Sequence, residues 1–115
     1  MEVKNPKFTT DYTTVVCEDE WKYGAPHHFK VLDNNGVVLS SVDFQKGPVK
    51  EVGVNGVANE DLLLMVLTRL EGFQNTQYRC SENEEAICAI LEAIDSLRKR
   101  TVNRVIRGVQ GTSQI

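Results

Sequence analysis

Residues 81–108 read SENEEAICAILEAIDSLRKRTVNRVIRG, and this stretch decides the fold. Its apolar residues recur at the three- and four-residue spacing of one helix face: Ile87, Ile90, Leu91, Ile94, Leu97 and Val105. Ser81 and Glu84 have the spacing of a capping box, so the helix is predicted to begin there. It meets no Gly or Pro before Gly108 and is predicted to end at Arg107, after about 26 residues or ~39 Å.

A shorter helix is predicted upstream, over residues 59–73. Asn59 is a favourable N-cap, and Glu60 and Asp61 suit the positive end of the helix dipole. The residues at helical spacing are Leu62, Met65, Val66, Arg69, Leu70 and Phe73. Gly72 and the polar run after Phe73 predict that the helix frays there. The last two turns of the longer helix then have only the sheet or a partner to pack against.

The first half of the chain is predicted to be a small antiparallel sheet. Its candidate strands are rich in β-branched residues and lie at 12–17, 28–32 and 37–44, with a brief last strand at 49–52. The sequence DNNG at 33–36 is a strong hairpin turn, and QKGP at 45–48 is a second turn. So few short strands are not stable alone and must cover apolar surface.

Length and composition fit one small domain. The chain has 115 residues, of which 41% are hydrophobic and 25% charged. The predicted fold class is therefore α+β: a β-meander at about residues 10–52, a helical hairpin at 58–107 and a tail at 108–115. A domain of this size buries a thin core, which favours a homo-oligomer. No apolar stretch is long enough for a membrane span and no signal peptide is evident, so a cytoplasmic protein is expected.

The residues that commonly carry catalysis or bind metals form no recognisable set. Cys17, Cys80 and Cys88 lack zinc-site spacing and are predicted to be reduced thiols, with Cys88 in a core. His27 and His28 adjoin no second ligand cluster and are interpreted as strand residues. We therefore expect no catalytic residue, no metal and no cofactor.

Positive charge is concentrated at the end of the long helix. The net charge is −3, yet residues 96–115 contain five Lys/Arg and no acidic residue. Arg100, Arg104 and Arg107 stand at i, i+4 and i+7, so they share one helix face. Two interpretations remain open: a solvated cluster that complements the helix dipole, or an anion site, because guanidinium groups bind phosphate oxygens bidentately.

Candidates for the rest of a nucleotide site are weaker. Four aromatic residues could stack on a base, although a Phe at helical spacing is more often in a core: Phe73, Tyr78, Trp21 and Tyr23. Asn83 could bond a base edge or support the helix cap. The sequence GVNGV at 53–57 could bind phosphate through backbone N–H groups or form a plain turn.

Several spaced motifs make the chain similar to a known family. They are FQKGPVKEVGVNGV at 44–57, NEDLL at 59–63, RLEGFQ at 69–74, Cys80-x-x-Asn83, Leu97-x-x-Arg100-Thr101-x-x-Arg104 and RGVQGT at 107–112. In this order they resemble the type-one phage Thoeris anti-defence proteins, a family of signal sponges that shares its helical hairpin with an anti-CBASS sponge family. The resemblance extends over residues 29–112. The first 25 or so residues show little of it.

The resemblance implies a homo-oligomer that captures glycocyclic ADP-ribose, the signal made by TIR-domain defence enzymes, in the cytoplasm of the infected bacterium. The signal is held without cleavage, so the downstream effector is not activated. By motif, Phe73 stacks on the adenine, Asn83 bonds polar edges of the ligand, and Arg100 and Arg104 hold the pyrophosphate. Four further residues are expected in a supporting role or in a second pocket for cyclic di- or trinucleotides: Arg107, Gly111, Thr112 and Trp21.

Helix geometry adds a constraint on that site. Asn83 and Arg100 stand 17 positions apart on the long helix, which separates them by ~25 Å along its axis. A dinucleotide-sized ligand does not bridge that distance within one chain. If both residues contact one ligand, they come from different subunits, as in an antiparallel two-fold pairing of the long helices. Geometry therefore favours a dimer, and the resemblance implies a dimer-built hexamer as the alternative.

Three rival functions remain open. The nearest is a sponge chiefly for cyclic oligonucleotides, although the strand half before Gly53 favours the Thoeris type. A signal-degrading enzyme is the second. A nucleic-acid-binding module that uses the basic tail is the third, and the acidic residues between Gly53 and Asp95 argue against it.

Overall fold

The structure is a computed structural model, and it describes residues 1–8 and 10–115. Two compact units follow each other along the chain, Met1–Val57 and Ala58–Ile115. The described helices and strands are β1 (Thr13–Cys17), a 3-10 turn (Lys22–Gly24), β2 (His28–Asp33), β3 (Val38–Asp43), α1 (Val49–Val52), α2 (Asn59–Gln74) and α3 (Ser81–Ile106). The fold class is α+β, as predicted, with an antiparallel sheet followed by C-terminal helices.

The first unit is built on a three-stranded antiparallel sheet in the order β1-β2-β3. The predicted turn at 33–36 is confirmed, because the Asp33 carboxylate accepts hydrogen bonds from the N–H groups of Asn35 (2.8 Å) and Val37 (2.9 Å). Gly36 completes this turn with a φ of 79°. The N-terminus extends the pairing at β1, where Val3 N–H donates to the Val15 carbonyl oxygen at 2.8 Å.

The prediction of a fourth strand at 49–52 is wrong. Those residues form the single helical turn α1, whose Gly53 N–H donates to the Val49 carbonyl oxygen at 2.8 Å. Pro48 precedes the turn with extended backbone, and Gly53 ends it with a φ of 78°. Proline and a left-handed glycine at the two ends favour a closed turn over an extended segment.

The second unit consists of α2 and α3, which pack against each other and are joined by residues 75–80. Both predicted N-caps are displaced by one residue. Ala58 precedes α2, and the Asp61 carboxylate accepts its N–H at 2.8 Å, so Asn59 is the first helical residue and not the cap. Cys80 caps α3 through its sulfur, which accepts the Asn83 N–H at 3.4 Å, so the predicted Ser81–Glu84 capping box is absent.

The end of α3 agrees with the sequence prediction to within one residue. The helix ends at Ile106, Arg107 is the C-cap, and Gly108 follows with a φ of 74°. The N–H of Gly108 bonds the Val105 carbonyl oxygen, and the N–H of Val109 bonds the Arg104 carbonyl oxygen, both at 3.0 Å. This pair of bonds is a Schellman motif, which turns the chain back along the helix.

The buried apolar core of the described residues is small. It contains Cys17 in the first unit and three residues of the second unit: Leu67, Ile87 and Val109. Seven apolar residues of α2 and α3 are exposed in the single chain: Leu64, Met65, Val66, Leu91, Val102, Val105 and Ile106. Met65, Val66, Leu91 and Val105 belong to the predicted apolar faces, so those faces are incompletely covered within one chain.

Candidate functional site

One cluster of candidate residues lies where α2 ends. Phe73 stands in the last turn of α2, and the Tyr78 ring meets its ring edge-on at a centroid distance of 6.4 Å. The guanidinium carbon of Arg69 lies over the Phe73 ring, 5.1 Å from its centroid. A cation in this position is attracted by the ring quadrupole. Sequence analysis named Phe73 and Tyr78 separately and missed Arg69 as a site residue, although its i,i+4 spacing from Phe73 was the available signal.

Asn83 lies in the first turn of α3, and its side chain is half-buried. Its backbone N–H supports the cap by donating to the Cys80 sulfur. Its carboxamide makes no hydrogen bond to any residue within 1–8 and 10–115. The cap therefore uses only the backbone of Asn83, and the amide oxygen and NH₂ group are available to a ligand.

Gln74 fixes the segment between these two residues, and sequence analysis missed it. Its Nε2 donates to the Cys80 carbonyl oxygen, and its Oε1 accepts the Cys80 N–H, both at 3.0 Å. The last residue of α2 is thus bonded on both sides to the residue that caps α3. These two hydrogen bonds hold the end of α2 in register with the start of α3, and so fix the helix ends that carry Phe73 and Asn83.

The arginines of the cationic end have different surroundings. Arg100 is exposed and makes no hydrogen bond or ion pair with any described residue. The half-buried Arg104 donates from Nη2 to the carbonyl oxygens of Val109 (3.0 Å) and Thr112 (3.1 Å). Arg107 donates from Nη1 to the Ile115 carbonyl oxygen at 2.8 Å. Arg100 is therefore the unengaged member of the predicted anion-binding face.

The tail residues named from the sequence form a compact turn on this end of α3. The Thr112 hydroxyl donates to the Val109 carbonyl oxygen at 2.6 Å, and the Thr112 N–H donates to the same oxygen at 3.1 Å. Gly111 has a φ of 72°, and both Gly111 and Thr112 are half-buried. The Val109 carbonyl oxygen thus accepts from Arg104 and from Thr112, which joins the tail to the arginine.

The two clusters lie far apart along α3. The helix runs without interruption from Ser81 to Ile106. The 17 positions between Asn83 and Arg100 therefore correspond to ~25 Å along its axis. Phe73, Tyr78 and Asn83 lie near the start of α3, and Arg100 and Arg104 lie near its end. One chain does not bring these two groups of residues together.

The remaining aromatic candidates lie in the first unit. Trp21 is partly exposed, and its indole N–H donates to the Glu18 carbonyl oxygen at 3.0 Å. Tyr23 adopts a φ of 59° beside Gly24, and its ring lies 5.4 Å from the Lys22 ammonium nitrogen. The Glu18 carboxylate accepts the N–H groups of His28 (3.1 Å) and His27 (2.7 Å). The His28 bond, with that of His27, holds the pKa of Glu18 below its ordinary value.

The loop at 53–57 is tied to residues 45–47 by side-chain hydrogen bonds. The Asn55 amide accepts the Lys46 N–H and donates to the Lys46 carbonyl oxygen, both at 2.8 Å. The Gln45 amide donates to the Gly53 carbonyl oxygen at 2.8 Å and accepts the Asn55 N–H at 3.0 Å. Of the two interpretations of GVNGV, this bonding favours a structural turn, since the Asn55 N–H is already engaged.

Groups suited to metal binding do not cluster in the described part of the chain. No three His, Cys, Asp or Glu residues within 1–8 and 10–115 are placed to share an ion. The cysteines are free, and Cys88 is exposed, so the prediction that it lies in a core is wrong. Its position, one residue after the buried Ile87, turns it away from the α2 contact. None of the described helices is long and apolar enough to cross a membrane.

Fold and site together define a class of protein. It is a small α+β protein in which a three-stranded sheet is followed by a helical hairpin with an aromatic–amide cluster and a cationic end. The chain is 40% identical over 139 aligned positions to "Thoeris anti-defense 1" of Bacillus phage SBSphiJ7, and the match covers 98% of both chains. It belongs to the Thoeris anti-defense 1 family. No protein-family profile matches the chain.

Proposed function

We propose that this protein acts against Thoeris immunity by capturing glycocyclic ADP-ribose and holding it uncleaved, so that the effector is not activated. The relative's name supports an anti-Thoeris role. The observation that supports the mechanism is the presence of two chemically complementary clusters at the two ends of α3. One end of α3 presents guanidinium groups suited to a pyrophosphate, and the other presents an aromatic ring and an amide suited to a purine.

The cationic end supports pyrophosphate binding in two ways. The five N–H donors of Arg100 are unengaged by described residues, and no described ion pair includes Arg100, Arg104 or Arg107. Guanidinium groups without acidic partners raise the local positive potential and attract an anion. A helix C-terminus stabilises such cations but leaves their outer donors to solvent.

The aromatic–amide cluster supports adenine binding. Phe73 is held by Arg69 and Tyr78. Its ring would therefore lose little orientational freedom when a ligand binds. The Asn83 carboxamide offers both a donor and an acceptor, as a purine edge requires. Stacking on an aromatic ring with one amide contact is a recurrent way to hold a base.

The proposed pocket is shared between two chains. Because ~25 Å of α3 separates Asn83 from Arg100, one ligand meets both only if a second chain supplies one of them. Antiparallel pairing of α3 with its copy would bring Phe73 and Asn83 of one chain to Arg100 and Arg104 of the other, twice per dimer. The exposed apolar residues near the end of α3, Val102, Val105 and Ile106, provide surface for such pairing.

The decisive test is stoichiometric capture with recovery of the ligand. Purified protein is mixed with glycocyclic ADP-ribose, freed of unbound ligand and denatured, and the released molecule is identified by mass and retention. We expect near-stoichiometric recovery of unchanged ligand and loss of effector activation in the mixture. Recovery of a hydrolysed product would support the enzyme alternative, and absence of binding would exclude the proposal.

A second candidate function is capture of cyclic di- or trinucleotides at the tail. The observation that favours it is the compact turn of Gly111 and Thr112 on Arg104, which lies at the cationic end of α3, outside the adenine cluster. Binding of a cyclic trinucleotide to protein already saturated with glycocyclic ADP-ribose would support a separate site. Complete mutual exclusion at saturation, as opposed to a limited weakening of each ligand by the other, would place both ligands on one site.

A further inference from the structure

We propose that the C-terminal tail, residues 109–115, competes with phosphate for Arg104, so that tail docking and anion capture oppose each other. The physiological identity of the anion rests on the proposed function. The competition itself rests on the bonding of one side chain and is testable with inorganic pyrophosphate alone.

The argument begins with the donors of Arg104. Nη2 donates to the carbonyl oxygens of Val109 and Thr112 at 3.0 and 3.1 Å, and Nη1 donates to the main-chain oxygen of Ile115 at 3.5 Å. A guanidinium offers a phosphate two edges, Nη1 with Nη2 and Nε with Nη2, and Nη2 belongs to both. Its two N–H groups are matched by two tail carbonyl oxygens. A bidentate phosphate at Arg104 therefore displaces at least one of them.

The strengths of the two partners make an exchange possible. A phosphate oxygen is charged and forms a stronger bond with guanidinium than a neutral carbonyl oxygen does. The tail carbonyls have the advantage of being part of the same chain, at high effective concentration. Arg104 and Thr112 are only half-buried, so water and a solute reach the bonds.

The same bonding shows where the tail would hinge. Val109 is 6% exposed, and its N–H bonds the Arg104 carbonyl oxygen in the helix-ending motif, so it stays anchored when the side-chain bonds break. Residues 110–115 are then the part that leaves. Release of the Thr112 carbonyl oxygen from Arg104 leaves Thr112 held to the anchored Val109 only by its own N–H and hydroxyl, which loosens the turn and speeds exchange of the Thr112 N–H.

A coupling between ligands follows from this geometry. The turn is closed by the Thr112 bonds to Val109, and Arg104 adds a bond to the Thr112 carbonyl oxygen. A ligand that needs the docked turn and a pyrophosphate that needs Arg104 would therefore weaken each other's binding within one chain, by equal factors. Arg100 makes no tail contact and remains available to the anion in both states.

Removal of residues 110–115 tests the competition, provided that the new terminus at Val109 is amidated, because a terminal carboxylate there would itself pair with Arg104. We expect inorganic pyrophosphate to bind the shortened, amidated protein about tenfold more tightly by calorimetry, since the tail oxygens that accept from Arg104 are reduced from three to one. The deletion also frees Arg107 from Ile115, so in an Arg104→Met, Arg107→Met background it should have no effect. In Arg100→Met and Arg107→Met backgrounds its effect should persist, because Arg104 is intact in both. Unchanged or weaker binding after the deletion, or no pyrophosphate binding by either chain, overturns the proposal.

Amide exchange of Thr112 provides a second test that needs no variant. Its N–H donates to the Val109 carbonyl oxygen at 3.1 Å, while its carbonyl oxygen accepts from Arg104, so its protection should fall when the bond to Arg104 is lost. Saturating pyrophosphate should accelerate this exchange severalfold while core amides such as Leu67 are unchanged, and retained protection rejects the competition. Glycocyclic ADP-ribose separates the two proposals. If it binds while the Thr112 N–H stays protected, only the competition is rejected. If it does not bind but pyrophosphate still releases the tail, only the proposed function is rejected.

Discussion

Arg104 is bonded twice to Val109: its carbonyl oxygen accepts the Val109 N–H at 3.0 Å, and its Nη2 donates to the Val109 carbonyl oxygen at 3.0 Å. The first bond belongs to the helix-ending motif, and the second comes from the side chain that the family resemblance assigns to the pyrophosphate. Arg104 is thus a structural residue as well as a candidate ligand-binding residue. Substitution of Arg104 changes both roles together, whereas substitution of Arg100 changes only the second.

We therefore predict different stabilities for two matched variants. Arg104→Met removes the side-chain bonds to Val109 and Thr112 and should lower the free energy of unfolding by about 1–2 kcal/mol. Arg100→Met should change it by less than about 0.5 kcal/mol, because the Arg100 side chain is exposed and has no described partner. Urea unfolding followed by circular dichroism measures both values.

An Arg104→Lys variant refines this prediction. Lysine keeps the charge near the helix end and has three N–H donors, but its shorter side chain has no rigid planar group to fix a donor at the position of Nη2, so its stability should fall between the wild type and Arg104→Met. Equal stabilities for Arg100→Met and Arg104→Met would show that the tail bonds contribute nothing to folding.

The end of α3 was predictable because its signals are local. A continuous apolar periodicity and one glycine are enough to place the stop at Gly108, and the structure agrees to within a residue. The fold of the tail was not predictable in the same way. It depends on a guanidinium reaching carbonyl oxygens five and eight residues further along the chain, and carbonyl oxygens have no sequence signature.

The helix starts were misplaced for a related reason. Ser81 is a better intrinsic cap than Cys80, yet Gln74 bonds both backbone groups of Cys80 and fixes it as the last extended residue. The contact of Phe73 with Tyr78 depends on the turn conformation, so the sequence offered the two residues only as separate candidates. The positions of the arginines and of Asn83 on α3 were predictable because helical spacing alone places them, whereas their roles in binding stay predictions.

The cap of α3 gives a second prediction. Sulfur is a weak acceptor, and the Asn83 N–H meets it at 3.4 Å. Cys80→Ser supplies a stronger acceptor at the N-cap and should raise the free energy of unfolding by about 0.5 kcal/mol, while Cys80→Ala should lower it by a similar amount. Thermal unfolding of the three proteins checks the order Ser, Cys, Ala. An alanine variant as stable as the serine variant would mean that the cap bond is unimportant.

Two glycines should respond oppositely to alanine. Gly72 lies within α2, and a Cβ there would have no atom within 4 Å, so Gly72→Ala should stabilise by about 0.5–1 kcal/mol through helix propensity. A Cβ at Gly56 would lie 2.4 Å from the Phe44 carbonyl carbon, so Gly56→Ala forces the backbone to move. It should destabilise by about 2 kcal/mol or more. Denaturant midpoints decide both, and a tolerated Gly56→Ala would contradict the close approach of these segments.

The shared pocket gives the sharpest prediction, because complementation distinguishes residues in one chain from residues in two. Chains with Asn83→Ala and chains with Arg100→Ala should each fail to capture glycocyclic ADP-ribose alone. If the pocket is shared, a mixed dimer contains one pocket that receives Asn83 from one partner and Arg100 from the other, both intact. Native mass spectrometry of verified mixed dimers should then show one ligand bound.

The matched control carries both substitutions on one chain. Paired with a wild-type chain, the double variant leaves each shared pocket with one altered residue, so the mixed dimer should bind no ligand. A pocket built within one chain predicts the reverse: no ligand in the first mixture, and one ligand held by the wild-type chain in the second. The ~25 Å of uninterrupted α3 between Asn83 and Arg100 is the physical reason to expect the first pattern. Observation of the second pattern would require a bend in α3 that brings its two ends together within one chain.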